Sequence, residues 1–139
     1  MGRWEHFQHQ ADIGIRGIGA TAEEAFEEAG KALIAVMCDV EKIEPKREVE
    51  AECDGDDLEM LFADWINSII FYISAERMLF SEFEVEIDEG GRHLKGIMRG
   101  REIDLNRDEI AVEVKAATYA MLKAAKQGDV WVAQCVVDV

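Results

Sequence analysis

Residues 56–73, DDLEMLFADWINSIIFYI, contain the most regular hydrophobic pattern in the chain. Apolar side chains recur there at helical spacing and form one continuous stripe along the predicted helix. Asp56 or Asp57 is a suitable N-cap for it. The sequence therefore predicts that this is the most buried helix of the fold, with a stripe formed by Leu58, Leu61, Phe62, Trp65, Ile66, Ile69, Ile70 and Ile73.

The residues before this helix predict strands and a second helix. Trp4–Gln8 has the mixed aromatic and polar composition of an edge strand, and Asp12–Ile18 is a short glycine-rich strand. Thr21–Glu24 has the form of a capping box, in which a hydroxyl and a carboxylate satisfy each other's backbone amides. Helical spacing of apolar residues then continues until near Cys38. A strand exposed on one face is expected over Ile43–Cys53.

The C-terminal half is predicted to consist mainly of strands. Residues 83–87 alternate between apolar and acidic side chains, which is typical of a half-buried strand. Gly90-Gly91 indicates a hairpin, with Leu94–Met98 as its returning strand. Residues 100–109 are polar and are expected to form a loop, whereas residues 112–125 suit either a helix or a strand.

The predicted elements define an α+β fold. Trp131–Val137 is almost wholly apolar, as an interior strand would be. We therefore expect a two-layer arrangement in which two main helices pack on one face of a mixed, mostly antiparallel sheet. The 139 residues correspond to one domain, expected to span residues 1–139.

The charge balance excludes several classes of function. Fifteen Lys and Arg residues against thirty Asp and Glu residues give a net charge of −15. A generic nucleic-acid binder or a protein of anionic membrane surfaces needs the opposite balance. The sequence shows no run of about 20 apolar residues and no signal-peptide pattern at its start, so a cytoplasmic location is expected. Three cysteines without CxxC spacing favour buried, reduced thiols over disulfides or zinc.

His6, His9 and Asp12 are the first candidate site, because these residue types are transition-metal ligands. They would share a face only on a helix. On the predicted strand, His6 and His9 point to opposite faces. The sequence thus favours two partly exposed polar histidines over a joint site.

The end of the chain is the second candidate site. The interior strand ends in Asp138 and Val139, and the terminal carboxylate lies beside that of Asp138. Fraying into solvent relieves their repulsion and is the usual outcome. If the strand is held to its last residue, a hard cation with oxygen ligands is the natural compensation. Asp12, at the start of its own strand, is a candidate for a third carboxylate.

Lys115 is the third candidate, because a lysine in an apolar strand is costly to bury without a partner. Either it extends from the sheet to pair with one of the many carboxylates, or it anchors an anionic site or a partner. The sequence contains no glycine-rich nucleotide loop and no GxSxG motif.

Several segments together resemble the archease family over essentially the whole chain. The resemblance ends on the same pair of an aspartate and an aliphatic residue. It is carried by His9–Ile15, Asp64–Asn67, Leu79-Phe80, Phe83, Val114–Tyr119 and Val136–Val139.

The resemblance implies a function that composition does not. Archeases are accessory proteins of the RtcB-type RNA ligase, which joins RNA ends during tRNA splicing after guanylylating its own histidine with GTP. The family promotes this activation and multiple turnover without being the ligase. The resemblance implies a divalent-metal site at Asp12 and Asp138, to which Val139 adds its carboxylate. His9 and Lys115 are candidates for functional support of this site. Oxygen ligands favour calcium, magnesium or manganese over zinc.

This chain departs from the family pattern at a few positions. The family often has threonine at Gln10, glutamate at Arg101 and histidine at Ala120, and a histidine in the segment 103–110. If those groups tune the metal or touch the ligase, this member binds one of them differently.

Three hypotheses remain open from the sequence. The first is a ligase-activating accessory protein, which contacts RNA only indirectly or transiently and whose acidity suits docking to a basic ligase. The second is a metal-dependent hydrolase, which lacks a convincing general base. The third is a chaperone-like modulator of an RNA- or DNA-modifying enzyme, whose mark would be protection of several unrelated clients.

Overall fold

The computed structural model describes residues 2–139, which contain two main helices, one 3-10 turn and eight strands. The helices are α1 (Ala22–Met37) and α2 (Leu58–Glu76), and the 3-10 turn is Val40–Lys42. The strands are β1 (Arg3–His9), β2 (Asp12–Gly19), β3 (Arg47–Asp54), β4 (Met78–Ile87), β5 (His93–Glu102), β6 (Ala116–Ala117), β7 (Lys123–Gln127) and β8 (Val130–Asp138).

The strands form two separate sheets. The large sheet has the order β1-β2-β8-β6, and β7 also pairs with β8; the small sheet has the order β3-β5-β4. Each of these pairings is antiparallel. The α+β class with two helices is confirmed. The single sheet expected from the sequence is divided in two, because β2 pairs with the distant β8 while β3 pairs with β5.

Helix α1 packs against both sheets. It approaches β2 so closely at Gly17 that a Cβ there would collide with the carbonyl oxygen of Ala25. On its other side, the Glu27 carboxylate accepts a hydrogen bond of 2.9 Å from the backbone amide of Val85 in β4. Burial raises the pKa of Glu27. The core therefore lies where α1 joins the two sheets.

Helix α2 completes the core around a buried tryptophan. The indole of Trp65 lies against Gly96 in β5, and its Nε1 donates a hydrogen bond of 3.0 Å to the carbonyl oxygen of Phe26 in α1. Asp57 is the N-cap, with its carboxylate accepting from the Met60 amide. The predicted stripe is thus the face by which α2 joins α1 to the small sheet. The prediction that α2 is the most buried helix is wrong, because six of its 19 residues are buried against nine of the 16 in α1, which packs between the two sheets.

By length and composition alone, α2 is long and apolar enough to span a membrane. The sequence predicts no segment apolar enough to span a membrane, and α2 corrects that prediction as far as length and composition go. Its residues Leu61, Phe62, Trp65, Ile66 and Ile69 are buried inside the protein. A core helix inside a protein can pass the same test of length and composition.

Other predictions at the element level are mostly confirmed. The Thr21 hydroxyl accepts from the Glu24 amide, as the capping box requires, but the Glu24 carboxylate accepts from the amide of Ala20 rather than from that of the N-cap Thr21. The predicted loop at residues 100–109 begins too early, since β5 continues through Glu102. The ambiguous residues 112–125 contain the short strand β6 and the beginning of β7.

Candidate functional site

A row of four residues crosses one end of the large sheet. His9 pairs with Asp12, and Asp138 pairs with Ala116. Strands β2 and β8 are antiparallel, and Ile13 pairs with Val137. Continuing the same register by one residue places Asp12 opposite Asp138. We call His9, Asp12, Asp138 and Ala116 the carboxylate row.

The side chains of the carboxylate row share the face of the large sheet that points away from α1. Directly opposite residues on neighbouring strands project to the same face. Gly17 approaches α1, so residues of that parity in β2 face the helix and residues of the parity of Asp12 face outward. The imidazole of His9 and the two carboxylates therefore lie on this outer face.

The end of β8 is held rather than frayed. The carbonyl oxygen of Asp138 accepts a hydrogen bond of 2.8 Å from the backbone amide of Lys115. The side chain of Val139 packs against the hydrophobic core. The last residues of the chain are therefore ordered. That is the condition under which a cation at the strand end is expected.

Two polar side chains hold β6 beside the row. The Asn67 amide oxygen, on α2, accepts a hydrogen bond of 2.9 Å from the backbone amide of Ala117. The Thr118 hydroxyl donates to the Val136 carbonyl oxygen at 2.9 Å. The sequence motifs contain both residues, but their positioning role emerges only from the contacts between distant segments.

The two N-terminal histidines lie on opposite faces, as the strand pattern predicts. His6 Nε2 lies 2.8 Å from the carbonyl oxygen of Ala32, on the α1 side. Within residues 2–139, no three side chains of His, Cys, Asp or Glu converge closely enough to hold a metal ion. A cation at the carboxylate row would need main-chain oxygens or water in addition to Asp12 and Asp138.

Lys115 differs from its sequence expectation. Residues 111–115 form no strand, and the Lys115 side chain is exposed. Its ammonium makes no ion pair within the described part of the chain. The predicted pairing with a carboxylate is therefore wrong, and Lys115 instead lines an open groove of mixed polarity between α2 and the segment 103–115.

Arg101, one of the departures from the family pattern, has a structural role. Its guanidinium donates two hydrogen bonds to Asp108, at 2.7 and 2.8 Å, and one of 3.0 Å to Glu44. The hydrogen bonds from Arg101 lower the pKa of Asp108 to about 2. This buried pair ties the segment leading to Lys115 onto β5.

The three cysteines are free thiols, as expected. Burial raises the pKa of Cys38 and Cys53 to about 11 and that of Cys135 to about 12. A thiol is nucleophilic only when ionised, so these three are inert near neutral pH.

The fold and the carboxylate row define an α+β protein with a pair of aspartates facing each other at one end of its two central strands, β2 and β8. Residues 4–139 match the model of the Archease protein family (MTH1598/TM1083). The chain therefore belongs to the archease family, which confirms the resemblance.

Relatives of known sequence match along their whole length. Protein archease of Sulfurisphaera tokodaii is 44% identical over 139 residues, and that of Pyrococcus furiosus is 41% identical over 142 residues. In both cases the match covers all of this chain and all of the relative.

Solved structures share the fold. The solution structure of protein 1598 from Methanobacterium thermoautotrophicum is 34% identical and has a TM-score of 0.86, covering 98% of each chain. The crystal structure from Thermotoga maritima, described as that of an archease and possible chaperone, is 27% identical with a TM-score of 0.64. That match covers 97% of this chain and 96% of the other.

Proposed function

We propose that the chain is a cytoplasmic accessory protein that activates an RtcB-type RNA ligase, promoting its guanylylation and multiple turnover through a divalent-metal site. The observation that carries the proposal is the placement of Asp12 opposite Asp138, at a held strand end, in a member of the archease family. The protein assists the ligase and is not itself the catalyst.

The metal site consists of Asp12, Asp138 and the main-chain carboxylate of Val139. Two carboxylates face each other on adjacent strands, and the third belongs to the neighbouring residue. Like charges at such spacing repel, and a hard cation with oxygen ligands relieves the repulsion. This donor set fits calcium, magnesium or manganese, and the exposure of Asp138 leaves room for water as a further ligand.

His9 and Lys115 support this site. His9 is the cross-strand neighbour of Asp12, and the backbone of Lys115 fixes Asp138. When bound, the cation supplies positive charge at a strand end that otherwise carries only carboxylates. The chain's own residues orient it on the outer face of the large sheet, where a partner has access.

The net charge of −15 supports docking to a basic partner. A ligase that handles RNA and GTP needs a cationic surface, so opposite charges would attract the two proteins. The row would then position or deliver a divalent cation near the nucleotide site of the ligase. RNA contact by this chain is indirect or transient in this scheme.

Single-turnover guanylylation of the cognate ligase, with GTP and manganese, tests the proposal. The wild type is expected to accelerate the reaction, whereas Asp12→Asn and Asp138→Asn are expected to lose the acceleration. Asp56→Asn is the matched control, because it removes the same charge from an exposed turn. The proposal fails if the wild type gives no acceleration, or if all three variants behave alike.

Calorimetric titration with metal tests the delivery step separately. Adding residues after Val139 turns its carboxylate into a peptide bond and is expected to weaken metal binding. A variant of Asp12 that binds no metal but still stimulates the ligase would rule out delivery.

The alternative is a chaperone-like modulator, because the Thermotoga maritima relative is described as a possible chaperone. Protection of several unrelated proteins from aggregation, without an effect on the ligase, would favour it.

A further inference from the structure

A second polar site lies on the outer face of the large sheet, away from the carboxylate row. It is an open depression of about 460 Å³. The register aligns Glu5, Arg16, Gln134 and Lys123 in one row across four strands, and Arg3 lies in the next row. We call this depression the basic depression; its polar lining is Arg3, Glu5, Arg16, Lys123, Gln127 and Gln134.

The charge of the basic depression is opposite to that of the molecule. Arg3, Arg16 and Lys123 against Glu5 give 3 − 1 = +2, in a chain whose net charge is −15. Arg16 pairs with Glu5 at 2.6 Å. Arg3 and Lys123 have no ion-pair partner among residues 2–139, although acids outnumber bases two to one.

Arg16 is fixed in place by a buried glutamine. Gln134 is only 7% exposed, and its Oε1 accepts from Arg16 Nε at 2.8 Å. Its Nε2 donates to the Met121 carbonyl oxygen at 3.0 Å, so both ends of the amide are used. The Arg16 guanidinium also lies over the ring of Phe7, at 4.6 Å from the centroid.

The contacts that hold the Arg16 side chain are more numerous than a surface ion pair with Glu5 requires. A surface pair with Glu5 alone contributes at most about 1 kcal/mol and needs no buried amide behind it. Holding the guanidinium by Nε, Nη1 and the aromatic face leaves Nη2 without a partner in the described chain. A rigid guanidinium with a free donor edge is suited to an anionic ligand, since little rotamer freedom is lost on binding.

The floor of the basic depression is apolar. Ile18 and Val132 are buried beneath it, and Val130 is partly exposed at its side. A depression with cations at its rim and an aliphatic floor suits a ligand with a phosphate and a less polar body. A nucleotide has that character, since its phosphate meets the cations and its sugar or base lies on the aliphatic surface.

We propose that the basic depression binds the phosphate group of a nucleotide or of an RNA strand. Arg3, Lys123 and the free edge of Arg16 contact the phosphate, and Gln134 is a positioning residue. The depression shares a face with the carboxylate row, and Arg16 lies four residues, or about 13 Å, along β2 from Asp12. Taking RNA as a ligand rests on the proposed function, whereas the phosphate chemistry does not.

Fluorescence anisotropy with the full chain and no ligase tests this proposal. The probes are an end-labelled single-stranded RNA with a 3′-phosphate, and GTP and inorganic phosphate as competitors. The test variant is Arg3→Glu with Lys123→Glu. The matched control is Lys42→Glu with Arg92→Glu, two exposed bases outside the depression that give the same change in net charge.

The test variant is expected to bind RNA at least about tenfold more weakly, with a salt slope smaller by about 1.4 for two lost contacts. The control pair is expected to stay close to the wild type. Competition by GTP and phosphate would identify a general phosphate site, and binding of RNA alone would identify the strand backbone as the ligand. The proposal is overturned if the wild type binds no probe, or if both pairs weaken binding equally.

A ligase assay on the same test variant separates the two proposals. Lost RNA binding with unchanged guanylylation would leave both proposals standing as independent sites. If the wild type stimulates the ligase but binds no RNA, only the proposal about the basic depression is overturned. If the wild type binds RNA at the basic depression but does not stimulate the ligase, only the proposed function is overturned.

Discussion

Gln134 is the one polar residue among the apolar residues 131–137 of β8, and its amide joins three segments. It accepts from Arg16 in β2 and donates to Met121 in the loop before β7. Replacing it with leucine removes both hydrogen bonds and leaves two polar groups to find other partners. Net costs of about 1 kcal/mol per lost bond are usual, so Gln134→Leu is expected to lower stability by about 2 kcal/mol.

Urea unfolding checks this expectation, with Gln127→Leu as the control. Gln127 lines the same depression but is exposed, and its side chain makes no hydrogen bond within residues 2–139. The control is expected to unfold within about 0.5 kcal/mol of the wild type, as surface substitutions usually do. Equal losses in the two variants would show that the Gln134 amide contributes nothing specific.

The sequence shows that Gln134 is an unusual residue for its strand, but it does not show which groups bind it. A glutamine within residues 131–137 stands out against apolar neighbours, and such a residue must have partners when buried. Its partner Arg16 is 118 residues away in the chain. Only the register of β2 against β8 brings the two together. The aspartates of the carboxylate row depend on the same register, although their motifs are recognisable in the sequence.

At the scale of elements, one buried ion pair ties the segment 103–115 to β5. Arg101 in β5 and Asp108 in the segment have side chains that are 8% and 7% exposed. Arg101→Met removes the bidentate partner of a buried carboxylate, which costs about 3 kcal/mol near neutral pH. Arg92→Met, an exposed arginine that makes no ion pair in the part of the chain described, is expected to have little effect.

The pH dependence of that loss provides a sharper test. Asp108 has a folded pKa of about 2, below its ordinary value of 3.8. A depressed folded pKa gives stability that is fully present above the ordinary value and is lost as the pH falls toward the folded one. The difference between wild type and Arg101→Met is therefore expected to shrink in urea titrations between pH of about 4 and about 2. A difference that stays constant over that window would contradict the assignment.

The elements differ in how far the sequence specifies them. Helix α2 has a stripe long enough to predict both its type and its N-cap, and Asp57 is the residue that caps it. Strand β6 has two residues, and its amides bind Asn67 and β8 rather than following a local pattern. No periodicity exists in two residues. Such a strand is specified by its surroundings, so residues 112–125 remain ambiguous from the sequence.

At the scale of the whole molecule, the division into two sheets has the same cause. Alternation in β3, β4 and β5 indicates strands with one buried face, but many pairings satisfy it. The actual choice follows from packing. Helix α1 lies close against β2 at Gly17 and also binds β4 through Glu27, so it sits between the sheets instead of covering one of them.

The molecule's charge distribution also has two parts. The acidic excess spreads over most of the surface, while the large sheet carries the carboxylate row at one end of its outer face and the basic depression toward the other. Exposed charges separated by more than about 8 Å are largely screened at physiological salt. The electrostatic potentials of the two sites are therefore largely independent of each other. A ligand with both a metal-binding group and a phosphate group would contact both sites.

The net charge of −15 leads to a prediction about the stability of the whole chain. Self-repulsion destabilises the compact state, so added sodium chloride is expected to raise the Tm of any variant alike. A cation bound at the carboxylate row adds to this by mass action. At a concentration about 100-fold above its Kd, calcium would stabilise the folded chain by about 2.7 kcal/mol.

Thermal unfolding at constant ionic strength separates the two effects. Replacing sodium with calcium is expected to raise the Tm of the wild type and of Asp56→Asn by several degrees. Asp12→Asn removes the same charge and so gains as much from ordinary screening, but it lacks one of the two facing carboxylates. Its calcium-specific increment is expected to disappear. An equal increment in both variants would mean that calcium acts only on the diffuse acidic surface, and the carboxylate row would then hold no metal.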